Sequence, residues 1–576
     1  MKISASLFIG AALCSLALSG CDMALRQDMA DQPKNRPQSP SDFFADGRSE
    51  RPLVENTVPH GSLDDDVYHV SKDYTGFPLP VNQKLLERGE DRFKVFCTPC
   101  HGLQGDGNGM AAARGMKRPP SYHIDRLRQA PNGYFYDVMT NGFGAMYSYA
   151  ERIPPRDRWA IIAYVRALQL SRNAKVSDLP ESVGRLEKRA LVVGVVGVSV
   201  SIVGWITRPE DFFRSYLLAF LVVLGLSLGS LGILMLQHLT GGDWGVVIRR
   251  PLESATRVLW LVAALFLPLI PGMKYLYTTH TVNGEVRVGW LDAPKPPAEG
   301  HLSDLQQWYL THSGFLIRAV IYFAIWIVLM WLFNKMSAQQ DVDQQDRALR
   351  ARIKFYAGPG IILYVFAMTF AAIDWSMSLS PHWASTIYGF LFVAGQAISS
   401  MSLMIITVIM FSRSEPLSHV VLKRHLHDLG SLLFAFNMLW AYFSFSQLLI
   451  VWSGNQPEEI TFYKSRLSGA WGFVAVMVLV LHFMIPFLAL LSRDLKRNQS
   501  ALTKIAMWMI AMRCLDLFWM TRPEFTAQAL PSLWDVATLF ALGGIWLWFF
   551  AVQLKQRPLL PLGEPKLAEA IANHEH

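Results

Sequence analysis

Phe96-Cys97-Thr98-Pro99-Cys100-His101 sets two thiols three residues apart and puts an imidazole next to the second. Thiols at that spacing can add to the two vinyl groups of one haem, and the adjacent histidine can give its iron a proximal nitrogen. The stretch therefore reads as a site for one covalently bound haem c, in a chain that moves electrons. The competing reading is a Cys-x-x-Cys redox or zinc motif that happens to precede a histidine. Zinc wants further Cys or His ligands, and none stands within a sensible distance along the chain. Every cysteine has a place: Cys14 in a leader, Cys21 in a lipobox, Cys97 and Cys100 in the haem motif, Cys514 in an apolar segment. No pair remains for a disulfide.

The elements that must hold this motif are helical. Gln83 to Phe96, with Leu85, Leu86, Phe93 and Phe96, leads into it, and Arg156 to Leu170, with Trp159, Ile162, Tyr164, Val165 and Leu168, forms a second amphipathic helix. Two helices around a Gly-rich middle resemble a small class I cytochrome c. The sixth iron ligand then comes from between them, and Met110, Met116, Met139 and Met146 are the thioether candidates. Met146, in Gly142-Phe143-Gly144-Ala145-Met146-Tyr147, lies just before the last helix, where that family places its axial Met; Met116 ranks next and His123 last. For the other methionines, apolar filling of a small core is the better reading. His101 and Met146 are thus the expected axial ligands, and a Met ligand raises the potential above that of a bis-His haem.

Ahead of this domain, residues 1–20 have Lys2, an apolar run and Leu18-Ser19-Gly20-Cys21, the form of a bacterial lipoprotein signal peptide cleaved before a lipidated Cys21. The run is short for an uncleaved anchor helix. Export agrees with the haem motif, because c-type attachment occurs outside the cytoplasmic membrane, and Asp22 hints at retention in the inner membrane. Residues 21–80, rich in Pro, Asp, Ser and Arg, are expected to be an extended tether. The cytochrome domain is placed at 81–175, a charged linker at 176–189, a polytopic membrane domain at 190–556 and a tail at 557–576.

The chain is 576 residues long, 52% hydrophobic and has 18 Trp, values that fit a polytopic membrane protein with a soluble part attached. Its net charge of +8 sits mostly in short loops between apolar runs, where it sets orientation, so no nucleic-acid partner is assigned. About ten segments have spanning length: 190–206, 214–238, 256–277, 314–333, 357–374, 384–411, 429–452, 471–491, 502–520 and 534–554. The fold class is therefore all-α, a class I cytochrome c domain followed by a transmembrane bundle of about ten helices. Gly225, Gly229 and Gly232 form a small-residue stripe for close packing of the second segment. Ionisable residues inside spans are functional candidates: Arg318, Asp374, His482, and Arg513 with Asp516, which stand three apart on one helix and can pair. Gln396, Asn437 and Gln447 are weaker polar members. His482 is the only clear mid-span histidine, which disfavours a haem held within the membrane.

Loop charges conflict with an exported N-terminus. Arg249 and Arg250 follow segment two; Lys335, Arg347, Arg350, Arg352 and Lys354 follow segment four; Arg413, Lys423 and Arg424 follow segment six; Arg493, Lys496 and Arg497 follow segment eight. The positive-inside rule puts these loops and the C-terminus in the cytoplasm, and ten full spans would start there too. Either one segment, the first before the others, does not cross, or the charge rule is overridden, or two normally separate chains are joined here.

Beyond the lipobox, Pro40-Ser41-Asp42-Phe43-Phe44-Ala45-Asp46-Gly47-Arg48 and Arg51-Pro52-Leu53, with the haem motif and the Met146 loop, resemble the monohaem lipoprotein cytochrome subunit of alternative complex III. Residues from about 185 onward resemble that complex's second polytopic subunit, of the polysulfide-reductase-like (NrfD-type) class. The residues behind this likeness are His238-Leu239-Thr240-Gly241-Gly242-Asp243-Trp244-Gly245, Asp374-Trp375-Ser376-Met377-Ser378-Leu379, and Trp440-Ala441-Tyr442 on to Pro457-Glu458-Glu459. The two parts are usually separate chains, and their fusion departs from the family. The resemblance implies a subunit of a quinol:electron-acceptor oxidoreductase that works with iron-sulfur and multihaem cytochrome subunits and a sister NrfD-like subunit holding the main quinol site. The haem would pass electrons to a terminal oxidase or a soluble cytochrome c. The membrane domain would serve assembly and a possible proton path through Asp374, His482, Arg513 and Asp516, and no catalytic residue is assigned. The competing readings are the membrane anchor and cytochrome of a molybdopterin-type reductase, and a transporter with a haem redox-sensing domain. The expected location is the bacterial inner membrane, with the cytochrome on the outer side and lipid-anchored at Cys21.

Overall fold

The computed structural model describes residues 39–49, 65–172, 181–282, 284–293, 302–342, 347–412 and 420–561, with single positions 34, 51, 54 and 57. The leader and the lipidation position Cys21 lie outside the described residues. Among the described residues the regular elements are helices, apart from one hairpin, His280–Val282 paired with Glu285–Arg287. Contacts divide it into two units, Met1–Arg92 with Ala130–Ala163, and Phe93–Gln129 with Tyr164–His576.

In the first unit, helix Asn132–Asn141 and the start of helix Pro155–Arg172 pack through Tyr136 stacked on Trp159, with ring centroids 5.1 Å apart. The segment before the first helix closes over them. The Trp159 indole N–H donates to the Tyr68 carbonyl at 3.0 Å, and the Asn132 amide donates to the Thr75 and Gly76 carbonyls at 2.7 and 3.2 Å. Residues 68–77 thus lie as a strap across the helices. Buried Asp157 accepts from Arg88 and lies 3.2 Å from Arg92, joining helix Gln83–Phe96 to the same core. The carboxylate holds the Arg88 guanidinium above its ordinary pKa.

The second unit contains the bundle. Among the described residues, eight helices are long and apolar enough to cross a membrane. They correspond to the first, second, fourth to eighth and tenth expected segments. A ninth candidate, the third segment, begins at Asp243 and bends by 59° between Phe266 and Leu269. The ninth segment is helix Gln499–Thr521, which carries Lys504, Arg513 and Asp516. Uninterrupted helices satisfy every backbone donor and acceptor internally, as a hydrocarbon environment requires. The chain is therefore a multi-pass membrane protein.

Small residues let these helices approach. A Cβ on Gly197 of the first helix would lie 2.5 Å from the Ala541 nitrogen, and one on Gly544 of the tenth helix 2.5 Å from the Gly194 nitrogen. The first segment, named before the others as the one that would not cross under one of the three alternatives, is a helix of spanning length packed backbone to backbone on the tenth. The Gly225, Gly229, Gly232 stripe meets two neighbours. Ser400 of the sixth helix donates to the Leu226 carbonyl at 2.8 Å, and Gly232 faces Tyr364 of the fifth.

Polar ties fix which helix ends lie together. At one end Glu187 of the first helix pairs with Lys555 after the tenth, Arg250 pairs with Asp341 after the fourth, and Arg557 reaches Glu253 at 3.4 Å. At the other, Arg522 after the ninth helix donates to Ser215 at the start of the second at 3.2 Å, and the His280 ring lies 2.8 Å from the Glu524 carbonyl. The bent third run connects the two ends, from Asp243 to Tyr277, whose ring lies 5.5 Å from Phe315 at the start of the fourth helix. Among the described residues, eight single helices and the bent run are thus candidate spans, and Gln499–Thr521 is a further long helix packed among them.

Candidate haem site and buried polar clusters

The haem motif forms one short helical turn, Thr98–His101, continuing from Cys97 with Pro99 in its first turn. Gly102 closes it at φ 76°, a left-handed conformation that other residues rarely adopt. The loop that follows is stitched back onto the turn. The Gly107 N–H donates to the His101 carbonyl at 2.8 Å, and the Gly109 N–H to the Cys100 carbonyl at 3.1 Å. A Cβ on Gly109 would stand 2.2 Å from the Pro99 carbonyl oxygen, so only glycine fits there. Both thiols are free, Cys97 buried and Cys100 half-buried. Burial, and the neighbouring Cys100, push the Cys97 thiol up to about 12, and burial lowers the His101 imidazole to about 4.

The His101 ring stacks on Tyr122, with centroids 4.6 Å apart and planes 11° apart, and its buried Nδ1 has no hydrogen-bond partner. These residues fit a haem. Two free thiols three residues apart on one turn are the anchors a haem c needs, and a neutral imidazole fixed by ring stacking is the form that ligates iron. Cys97, Cys100 and His101 would hold it.

Among the candidates for a sixth ligand, Met139 is buried in the core, while Met110 and Met116 are exposed. His123 is tied to its loop, with Nε2 2.8 Å from the Gln104 carbonyl. Met146 sits half-buried in a tight hairpin in which Phe143 and Met146 exchange backbone hydrogen bonds at 2.9 and 3.0 Å. Arg158 pins the chain on either side, donating to Thr140 Oγ1 at 2.7 Å and to the Ala150 and Ile153 carbonyls at 3.1 and 2.8 Å.

In the bundle the expected ionisable residues form two separate clusters. Asp374, fully buried, accepts from Arg318 Nε and Nη2 at 2.9 and 2.8 Å and from the Tyr322 hydroxyl at 2.7 Å. Arg318 also donates to the Tyr309 carbonyl at 2.8 Å and lies 3.8 Å above the Tyr309 ring. Asp374 is therefore one half of a bidentate ion pair between the fourth and fifth helices and does not cap a helix.

The second cluster gathers His482, Asp516 and Arg513. Arg513 and Asp516 pair as their spacing suggests, and Trp440 donates to Asp516 at 3.2 Å while its ring meets His482 at 4.2 Å. His482 lies on a π-helical turn, Val478–Met484, inside the eighth helix. Such a turn leaves carbonyls without their usual donors, and here side chains supply them: Asn437 to Phe483 at 3.3 Å and Trp508 to Leu481 at 2.8 Å. Both ring nitrogens of His482 are buried without partners. Gln396 and Gln447 belong elsewhere, bonded to Tyr364 and Tyr463 at 2.8 and 3.1 Å.

Sequence reasoning put Arg249 and Arg250 in a loop. They are instead buried on helix Asp243–Arg257, where Glu253 lies 3.2 Å from Arg249 and 2.5 Å from Arg250. Glu253 and Asp341 together neutralise the two guanidinium groups, which makes burial tolerable. Their spacing to Glu253, four and three residues, carried that signal. The pairs Arg466 with Glu524, at 2.8 Å, and Arg522 with Asp535, at 2.7 Å, were also missed; both are buried at helix ends, where loops looked solvated.

Residues 84–165 match the family model described as Cytochrome C oxidase, cbb3-type, subunit III. The match spans the haem turn and runs into both helices that bracket it. The chain thus contains a cytochrome c domain, with haem as its cofactor and electron transfer as its chemistry. No curated protein matches the chain.

Proposed function

We propose that this chain is an electron-transfer subunit of a respiratory quinol:cytochrome c oxidoreductase of the alternative complex III type. When bound, haem supplies a one-electron couple. The chain's own residues do the rest. Cys97 and Cys100 anchor haem covalently, His101 and Met146 ligate its iron, and Arg158 positions the loop that carries Met146. The main quinol site lies in a sister membrane subunit. Iron-sulfur and multihaem cytochrome subunits deliver electrons, and a terminal oxidase or soluble cytochrome c receives them. In the bundle, His482, Asp516 and Arg513 are assigned to a proton path, because an uncapped imidazole on a π-helical turn beside a buried carboxylate can exchange a proton at either ring nitrogen. Asp374, locked by Arg318 and Tyr322, is assigned to assembly.

The observation that supports this reading most is the turn Cys97 to His101, two free thiols and a half-buried, stacked imidazole, in one chain with a bundle of long apolar helices. Affinity purification of the tagged chain from mild detergent, with haem staining, tests it. Co-purifying iron-sulfur and multihaem subunits support the assignment. A molybdopterin subunit, or a chain without partners, would replace it with a reductase anchor or a redox-sensing transporter.

A further inference from the structure

At the bundle end where the basic residues gather lies a cavity of about 360 Å³, walled by the third, fourth and tenth helices. Three cations line it, Arg257, Lys335 and Arg557, and no carboxylate does. The nearest acid, Glu253, is paired with Arg249 and Arg250 and is also reached by Arg557 at 3.4 Å, so one carboxylate is shared among three guanidinium groups. Arg257 donates to Ser254 Oγ and the Gln553 carbonyl at 3.1 and 2.9 Å, while its buried Nε has no partner. Asn334, 5% exposed, spends its amide N–H groups on Thr256 Oγ1 and the Met330 carbonyl, each at 3.0 Å, and leaves Oδ1 buried without a donor. The rim is aromatic. Trp260 and Trp331 are 59% and 54% exposed, and Lys335 Nζ lies 4.6 Å above the Trp331 ring.

We propose that this cavity binds the headgroup of one anionic phospholipid carrying hydroxyls, a phosphatidylglycerol or a cardiolipin. The phosphate answers the three cations, a glycerol hydroxyl donates to Asn334 Oδ1, and the acyl chains run down the bundle past Trp260 and Trp331. A basic pocket between membrane helices with tryptophans at its rim is built for a lipid rather than for a free anion, which would leave the indoles without partners. The site is independent of the haem and of the proposed proton path, so it stands or falls separately from them.

The test uses the full chain. The protein is delipidated in detergent, re-supplied with phosphatidylglycerol or phosphatidylethanolamine, and bound lipid is counted by native mass spectrometry for wild type, Lys335→Gln and Arg557→Gln. Lys335 is exposed, so its replacement keeps the fold even if loss of the Arg557 contact to Glu253 does not. Phosphatidylglycerol should be retained over phosphatidylethanolamine, and each lost charge should weaken it about fivefold. Equal retention of both lipids, or retention unaffected by Lys335→Gln, would overturn the proposal. Inorganic phosphate binding with the same Lys335 dependence and displacing the lipid would make a free anion the ligand and overturn it too.

Discussion

Replacing Asp374 by leucine should cost the folded bundle about 3 kcal/mol, most of which should return when Arg318 is replaced by methionine in the same chain. The carboxylate accepts two hydrogen bonds from Arg318 and one from Tyr322, all between 2.7 and 2.9 Å. Without it the guanidinium keeps only the Tyr309 carbonyl and ring. Breaking a buried pair from one side costs roughly 3–5 kcal/mol. The Arg318 side chain is 19% exposed, and that residual contact with solvent sets the lower end. The two single variants and the double variant form a cycle, read from unfolding midpoints of the purified chain in detergent. A coupling of at least ~1.5 kcal/mol is expected, above the ~0.6 kcal/mol average of interhelical hydrogen bonds in a membrane bundle, because both partners are charged and the contact is bidentate. Additivity within ~0.5 kcal/mol would refute the reasoning, since it would mean that Arg318 finds an equal partner elsewhere.

Met146→Leu should keep the covalent haem, lower its midpoint potential and abolish the sulfur-to-iron charge-transfer band of the ferric spectrum, while Met116→Leu leaves both unchanged; redox titration and visible spectra check this. His482→Phe should change stability by less than about 1 kcal/mol, because neither ring nitrogen has a partner to lose, yet lower the protons moved per electron in the reconstituted complex; an unchanged ratio removes His482 from the path. Cysteines introduced at the exposed positions Lys188 and Gln556 should react with a membrane-impermeant maleimide from one face, and one at Arg208 from the opposite face; reaction of Lys188→Cys and Gln556→Cys from different faces would mean an odd number of passes.

What could be read from the sequence followed the range of the interactions. The haem motif is contiguous, and Arg513 with Asp516 are three residues apart, so covalent chemistry and helical geometry announce them. Eight apolar segments are visible because each is one long run, whereas the third is broken near Leu267 and the ninth is interrupted by charges. The Arg318 partnership with Asp374 spans 56 positions, and Trp440 reaches Asp516 across 76, so nothing local joins them. The π-helical turn was hidden too, because its cause is side chains on other helices, Asn437 and Trp508, donating to the carbonyls it frees. Arg249 and Arg250 misled in the other direction. Charge beside an apolar run looks like a loop until Glu253 is counted on the same helical face.

That correction bears on orientation. Arg249, Arg250 and Arg557 are internally paired and count little as free positive charge, but Lys335, Arg350, Arg352, Lys354, Lys423, Arg424, Arg493, Lys496 and Arg497 remain at the same end. The charge bias that the positive-inside rule reads therefore survives the discount, and the Glu187 pair with Lys555 puts the start of the first helix at the same end. Covalent haem attachment belongs to the opposite side of the membrane. An even number of crossings does not meet both demands in one continuous chain, and an odd number does. Labelling of Lys188→Cys from the cytoplasmic face, in cells whose haem-bearing domain is exported, is the result an even number requires, and labelling from the outer face is the result an odd number requires.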